Sequence, residues 1–412
     1  MKQKIILVIN YINLFSVLLL TAASIYYYYP LQNIAFYLFF ISYILEFFIE
    51  EKWNNIKFDK KGIYYLVMAF FFILAFIYYP FENTSKYFTW LVGRRFAIFG
   101  FACVGFFGVN NKYKLNYFLN TFIISSIIAI LYIIFYRIGI FSFITNPDIA
   151  LIFQIERVNS VNSHMVFNLY LNIALVSIWY ILTRSWKRTI WWKLILYFGA
   201  LTFIFGILSI SEGRIGLITG FLLMISFIFF EIWKRKKMMG IVLMFLIPFL
   251  LFGVLHHRER MSEQYIKAEP RVFLWEAALS VIKEKPVFGY GISNAQEQYD
   301  IARAKYQTEE YRLNWKHIRI LTSHNQFLQT TMEFGVFGLI ILLFLFFYPI
   351  FIADKNRKLF AVLLIFPCVY QSLFDVFMTG LNYSSIWGIL MVLILSVENN
   401  IVQKAPKKEL TT

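Results

Sequence analysis

His324 and Asn325 stand together in "LTSHNQFLQTTMEFGVFGLIILLFLFF", where polar sequence gives way to a long apolar run. An imidazole changes charge near neutral pH and can take a proton from a hydroxyl. At the mouth of a hydrophobic helix it would do so on a water–lipid boundary, although an interfacial histidine can also serve only to cap or pack. Arg214, after "SISEG", opens another apolar segment, and Arg271 follows Pro270, a residue suited to helix starts. A cation at a helix N-terminus opposes the macrodipole, so neither arginine is there for helix stability. Each either snorkels or pairs with a nearby carboxylate (Glu212 or Glu269), or it grips a phosphate through the paired donors of its guanidinium.

Arg94 and Arg95 lie a turn inside an apolar segment, where unpaired charge is expensive. They form either a second phosphate clamp or a structural pair for Glu82. Trp275 and Leu279 follow Arg271 at four-residue spacing on one helical face, which makes Trp275 a binding candidate, as Asn325 is beside His324. Asp375 and Gln371, one turn apart, are a weaker pair. The sequence has no P-loop, no G-x-G-x-x-G after a strand, no H-E-x-x-H and no acidic cluster, so no metal or cofactor is expected.

The elements that position these residues follow from composition. The 412 residues are 60% hydrophobic and 21% aromatic but only 15% charged, too little charge to solvate a soluble protein of this length. Apolar runs of about 18 residues or more suffice to cross a roughly 30 Å hydrocarbon layer. The pattern predicts an all-α polytopic membrane protein with twelve spans, near 5–25, 31–49, 62–80, 90–109, 117–139, 165–183, 193–211, 214–233, 239–255, 326–352, 359–377 and 380–398. "TAAS" at Thr21–Ser24 resembles a signal-peptide cleavage site, but the first span reads as an uncleaved anchor. Cys103 and Cys368 fall in apolar spans and read as packing residues.

The net charge of +16 would suggest nucleic acid in a soluble domain, but here the basic residues alternate from linker to linker. "EEKWNNIKFDKK", "NNKYK", "TRSWKRTIWWK", "WKRKK" and "ADKNRK" are rich in Lys and Arg, and the linkers between them are poor. Basic short loops stay cytoplasmic, which puts both termini inside. The organisation is then 1–254 with spans one to nine, 255–325 as a long periplasmic loop, and 326–412 with the last three spans and a tail. The loop carries 11 Lys and Arg against 9 Asp and Glu, and four of the five histidines: His256, His257, His317 and His324. Within it, "EPRVFLWEAALSVIKEKPVFGYG" predicts a short helix ended by a proline–glycine turn, and "YDIARAKYQTEEYRLNWKHIRI" a second, more polar one.

A basic, membrane-apposed site outside the cytoplasm has no nucleotide supply, so group transfer there needs a donor activated before export. A lipid-linked sugar pyrophosphate meets that need. Two arginines would neutralise the leaving pyrophosphate, and a neutral histidine would accept the acceptor's proton.

Three segments, in order, resemble the O-antigen ligase family, which includes O-antigen polymerases and O-oligosaccharyltransferases. They are "SEGRIGLITGFLL" (211–223), "RVFLWEAALSVIKEKPVFGYGISN" (271–294), similar to an R-x-x-x-W…P-x-x-G-x-G pattern, and "SHNQFLQTTMEFGVFGLI" (323–340), similar to H-N-x-x-L…E-x-G-x-x-G. The resemblance implies a membrane glycosyltransferase fold of the C type and a metal-independent, inverting transfer. Arg214 and Arg271 would contact the pyrophosphate of an undecaprenyl-linked glycan, and His324 would activate the acceptor. Where many members have Ser before the first Arg, this chain has Gly213.

The leading expectation is a ligase of the bacterial inner membrane that moves polysaccharide from undecaprenyl pyrophosphate onto lipid A–core. The alternative within the family is a polymerase joining lipid-linked repeat units. A glycolipid flippase is the alternative of another class, but it would favour repeated halves and charge near the midplane, and neither is evident here.

Overall fold

The computed structural model describes residues 2–26, 29–56, 58–81, 88–161, 163–185, 190–211, 213–235, 270–306 and 322–397. The first half contributes α1 (Lys2–Ala23), α2 (Tyr29–Ile49), α3 (Lys60–Tyr78), α4 (Phe88–Phe107), α5 (Leu115–Leu131), α6 (Ile140–Thr145) and α7 (Ile149–Ser160). Then come α8 (His164–Ser185), α9 (Trp191–Ile210), α10 (Arg214–Arg235), α11 (Pro270–Glu284), α12 (Ile292–Tyr306), α13 (Gln326–Ile352), α14 (Lys358–Ser372) and α15 (Leu381–Leu395). Among the described residues the chain is all-helical, and eight helices are long and apolar enough to cross a membrane. This is the architecture of a polytopic membrane protein. The span expected at 239–255 lies outside the described residues, as do His256, His257 and His317.

α15 is at the centre. Every residue from Asn382 to Leu395 is buried, as expected for a helix that is apolar all round. α4 packs against it, with Gly388 so close to Phe101 that a Cβ would fall 2.3 Å from the ring. α13 and α14 also contact it, and α14 packs in turn against α8 and α10. α5 continues through a π-helical segment, Tyr132–Ile138, before the short helices α6 and α7, which the sequence did not announce. Cys103 is partly buried and Cys368 fully buried, both as free thiols.

Two expectations change in detail. The more polar loop helix begins earlier than "YDIARA", at Ile292, which is buried in the main core, while Ala295, Tyr299 and Ala302 form a buried stripe against α11. α14 stops at Ser372, short of the expected end at 377, and Asp375 sits in the turn that follows. There its own carboxylate accepts the Val376 amide at 2.8 Å, a local bond that competes with helix continuation.

The short loop helix forms as expected. α11 buries Leu274, Ala277, Ala278 and Val281 against α12 and Met332 of α13, and leaves Leu279 exposed. Its proline–glycine turn then docks into a break in α13. Gly335 has φ 64°, which interrupts the helix. In an unbroken helix, the carbonyls of Met332 and Glu333 would accept from Val336 and Phe337. Instead, Tyr290 and Gly291 donate to Met332 and Glu333 at 3.0 and 2.8 Å. Val336 and Phe337 donate to Pro286 and Val287 at 2.8 and 3.3 Å. The four groups freed by the kink are thus the four satisfied by the turn, as buried backbone requires.

Candidate active site

His324 lies in the turn that leads into α13, with φ 48°. Left-handed backbone is uncommon for a residue with a side chain, and where it persists the surroundings hold it. Several groups do so here. The Ser323 hydroxyl lies 3.0 Å from the Asn325 carbonyl and 3.3 Å from Gln329 Oε1. The Tyr299 hydroxyl of α12 reaches the Thr322 carbonyl at 3.4 Å. Asn325 caps α13 by accepting the Leu328 amide at 3.0 Å, and its side-chain amide donates to the Leu373 carbonyl at 3.1 Å. Asn325 therefore ties the histidine turn to the aspartate turn.

Across that tie, His324 Nδ1 faces Asp375 Oδ1 at 3.5 Å. Oδ2 of the same carboxylate accepts from the Tyr383 hydroxyl at 2.7 Å. Burial by itself raises the Asp375 carboxyl. The hydrogen bond and charge of His324, with donors from Tyr383 and Val376, outweigh burial and leave the group below its ordinary value of 3.8. An ionised carboxylate beside Nδ1 favours the tautomer protonated there, which leaves Nε2 as the proton acceptor. The imidazole side chain is 34% exposed, so a substrate can reach it.

Gly213 and Arg214 form the start of α10. Gly213 has φ 101°, and a Cβ there would fall 2.6 Å from the His164 ring. A serine at this position would therefore be strained and crowded, which accounts for the glycine. Asn168 and Asn172 of α8 hold this turn. Asn172 donates to the Gly216 carbonyl at 3.0 Å, and Asn168 approaches the Gly213 carbonyl at 3.5 Å while accepting from Ser211 at 2.8 Å. The backbone of Arg214 is thereby fixed at the same end of the bundle as the Asp375 turn, since the last turns of α8 and α10 meet the first turn of α14 at the other end.

Arg271 occupies the first turn of α11. One turn on, the Trp275 ring lies 6.4 Å from Phe374, the residue before Asp375. The structure thus gathers the Arg214 turn, the Arg271 helix and the His324–Asp375 pair at one end of the helices.

Arg95 is placed differently. It is buried, and its two terminal nitrogens bind Glu333 at 2.8 and 2.7 Å. Gln329 donates to the same carboxylate at 2.9 Å. The partner is Glu333, and Glu82 lies outside the described residues. A guanidinium committed in this way supports the kink in α13 and does not reach for a phosphate. Arg94 is half-buried, and its carbonyl accepts from Ser384 at 3.0 Å, next to the Tyr383 that holds Asp375. Sequence reasoning missed Tyr383, Asn168, Asn172 and Gln329, whose hydroxyls and amides carry no spacing signal of their own. Among the described residues, no group of three or more His, Cys, Asp or Glu could hold a metal ion.

Comparison with known proteins bears on the same region. Residues 198–343 match the O-antigen ligase family. Two rickettsial proteins provisionally named polysaccharide ligases are similar over part of their length. The one from Rickettsia conorii is 29% identical over 150 residues, 34% of each chain. The one from Rickettsia typhi is 28% identical over 144 residues, 33% of this chain and 35% of its own. An uncharacterised protein from Haemophilus influenzae is 35% identical over 86 residues, 21% of this chain and 20% of its own. The chain thus matches about a third of the length of the rickettsial relatives.

Proposed function

We propose that this chain, whose residues 198–343 belong to the O-antigen ligase family, is a membrane glycosyltransferase acting as an O-antigen ligase. It would transfer polysaccharide from undecaprenyl pyrophosphate to a hydroxyl of lipid A–core at the periplasmic face of the inner membrane. The observation that carries the reading is the His324–Asp375–Tyr383 chain at the head of α13.

The acceptor oxygen attacks the anomeric carbon and forms the new glycosidic bond, while the bond from that carbon to the pyrophosphate oxygen breaks. The hydroxyl proton passes to His324 Nε2. The leaving pyrophosphate keeps the bonding electrons, and its charge is met by the guanidinium groups of Arg214 and Arg271. A single displacement of this kind inverts the anomeric configuration. Trp275 supplies an apolar wall between Arg271 and the Asp375 turn. Arg94, from α4, contributes to substrate binding on the Tyr383 side. The His324 end of the helices would be the periplasmic end, since short linkers rich in Lys and Arg favour the cytoplasm and the sequence puts them at the opposite ends of these helices.

The relatives' names favour ligation over polymerisation of repeat units. The test is to reconstitute the purified chain with undecaprenyl-pyrophosphate glycan, offering either lipid A–core or a second lipid-linked repeat unit. A ligase glycosylates lipid A–core. Product on the lipid-linked unit alone would make the chain a polymerase, and transbilayer movement of glycolipid with no new glycosidic bond would make it a flippase.

A further inference from the structure

A second polar site lies at the opposite end of the bundle from His324. α8 runs from His164, beside the Gly213 turn, to Ser185, and α10 runs from Arg214 to Arg235. α14 runs the other way, toward Asp375, so the last turns of α8 and α10 meet its first turn roughly 30 Å from the histidine site. Between them is a cavity of about 250 Å³ lined by Trp179, Tyr180, Arg184, Lys234, Asn356 and Phe360, among others. That volume corresponds to about eight waters, comparable with a phosphodiester headgroup and too small for acyl chains.

Two cations on separate helices border the cavity, each set over an aromatic ring. The Arg184 guanidinium is 5.6 Å from the Tyr180 centroid, and Lys234 Nζ is 5.8 Å from that of Trp179. Arg184 also donates to the Asn356 carbonyl, and Lys234 pairs with Glu231 at 2.7 Å. The Trp179 indole is buried and stacked on Phe227 at 5.1 Å, which fixes one wall of the cavity beneath Lys234. Lys355 and Lys358, exposed just before and at the start of α14, add positive charge at the same end.

We infer that this cavity binds the phosphodiester headgroup of an anionic glycerophospholipid of the leaflet opposite the His324 site. Phosphate oxygens accept from the Arg184 guanidinium and the Lys234 ammonium, which neutralise the charge, and the acyl chains lie along the apolar helix flanks. Basic pockets between membrane helices on the cytoplasmic side suit such headgroups. The inference holds whether or not the catalytic reading does.

The test uses the full chain, exchanged into phosphatidylglycerol or phosphatidylcholine, with retained lipid counted by native mass spectrometry. Wild type should retain phosphatidylglycerol in preference to phosphatidylcholine. Arg184→Gln and Lys234→Gln should each weaken retention about fivefold, the effect of one basic group at a headgroup surface. Lys234→Gln alters an exposed side chain, so its loss of lipid cannot be ascribed to misfolding. Lys193→Gln is the control, because Lys193 lies over Trp192 at 5.3 Å near the start of α9, at the same end, and does not line the cavity. Equal retention of both lipids, or an equal loss with Lys193→Gln, would overturn the proposal in favour of a general basic belt. Displacement of the lipid by inorganic phosphate would overturn it in favour of a small-anion site.

Discussion

Asp375 decides how His324 works. The carboxylate is held below its ordinary value of 3.8 by the histidine and by the Tyr383 and Val376 donors, despite burial. A carboxyl with a depressed folded value contributes stability above its unfolded value and loses it as pH falls through the folded one. The anchor is therefore intact at neutral pH and fails only in strong acid. Asp375→Asn should lower turnover by about 10²-fold or more, the scale of an oriented acid–base group. Unchanged turnover in this variant would show that Asp375 is only packing. Arg95 and Glu333 make a second residue-scale claim. Removing one member of a buried ion pair costs about 3–5 kcal/mol, so Arg95→Met should lower the thermal midpoint in detergent. The double variant Arg95→Met with Glu333→Leu should recover most of that loss.

The proline and glycines of the loop were visible in the sequence as turn signals, but neither the backbone they bond to nor the break at Gly335, inside an expected continuous span at 326–352, was. Proline and glycine announce that a segment ends, and they are silent on which distant backbone completes it. The pairing of 286–291 with the four groups freed at Gly335 joins elements some 45 residues apart. The same limit applies at the site. His324, Arg271 and Arg214 stood out because charge at an apolar boundary is unusual, whereas Asp375 seemed a weaker candidate and Tyr383 none. Arg95 drew notice for its burial cost, but its partner could not be named without the fold. At this scale, Gly335→Ala is the informative change. A Cβ there would fall 2.1 Å from the Val287 carbonyl oxygen, on a backbone of φ 64°. The substitution should release the turn, exposing the 286–291 amides to faster hydrogen exchange and loosening α11 with its Arg271. Unchanged exchange would show that the docking contributes little.

At the scale of the whole molecule, hydropathy foretold most of the helices, because crossing a hydrocarbon layer constrains length and polarity together. It did not foretell that α15 would be buried throughout, that α14 would end early to form the Asp375 turn, or that short helices would follow α5. These features depend on which helices become neighbours. The arrangement has a division of labour. Paired polar residues fix helix ends at the His324 side, and aromatic and basic residues line a headgroup-sized cavity at the other.

The central claim is that His324, oriented by Asp375, takes the proton during glycosyl transfer. The most direct test is single-turnover transfer by purified, reconstituted protein from undecaprenyl-pyrophosphate glycan to lipid A–core, comparing wild type with His324→Ala. The account predicts that the variant inserts and binds donor as wild type does but forms no glycosylated lipid A–core. Transfer by His324→Ala at the wild-type rate would contradict it.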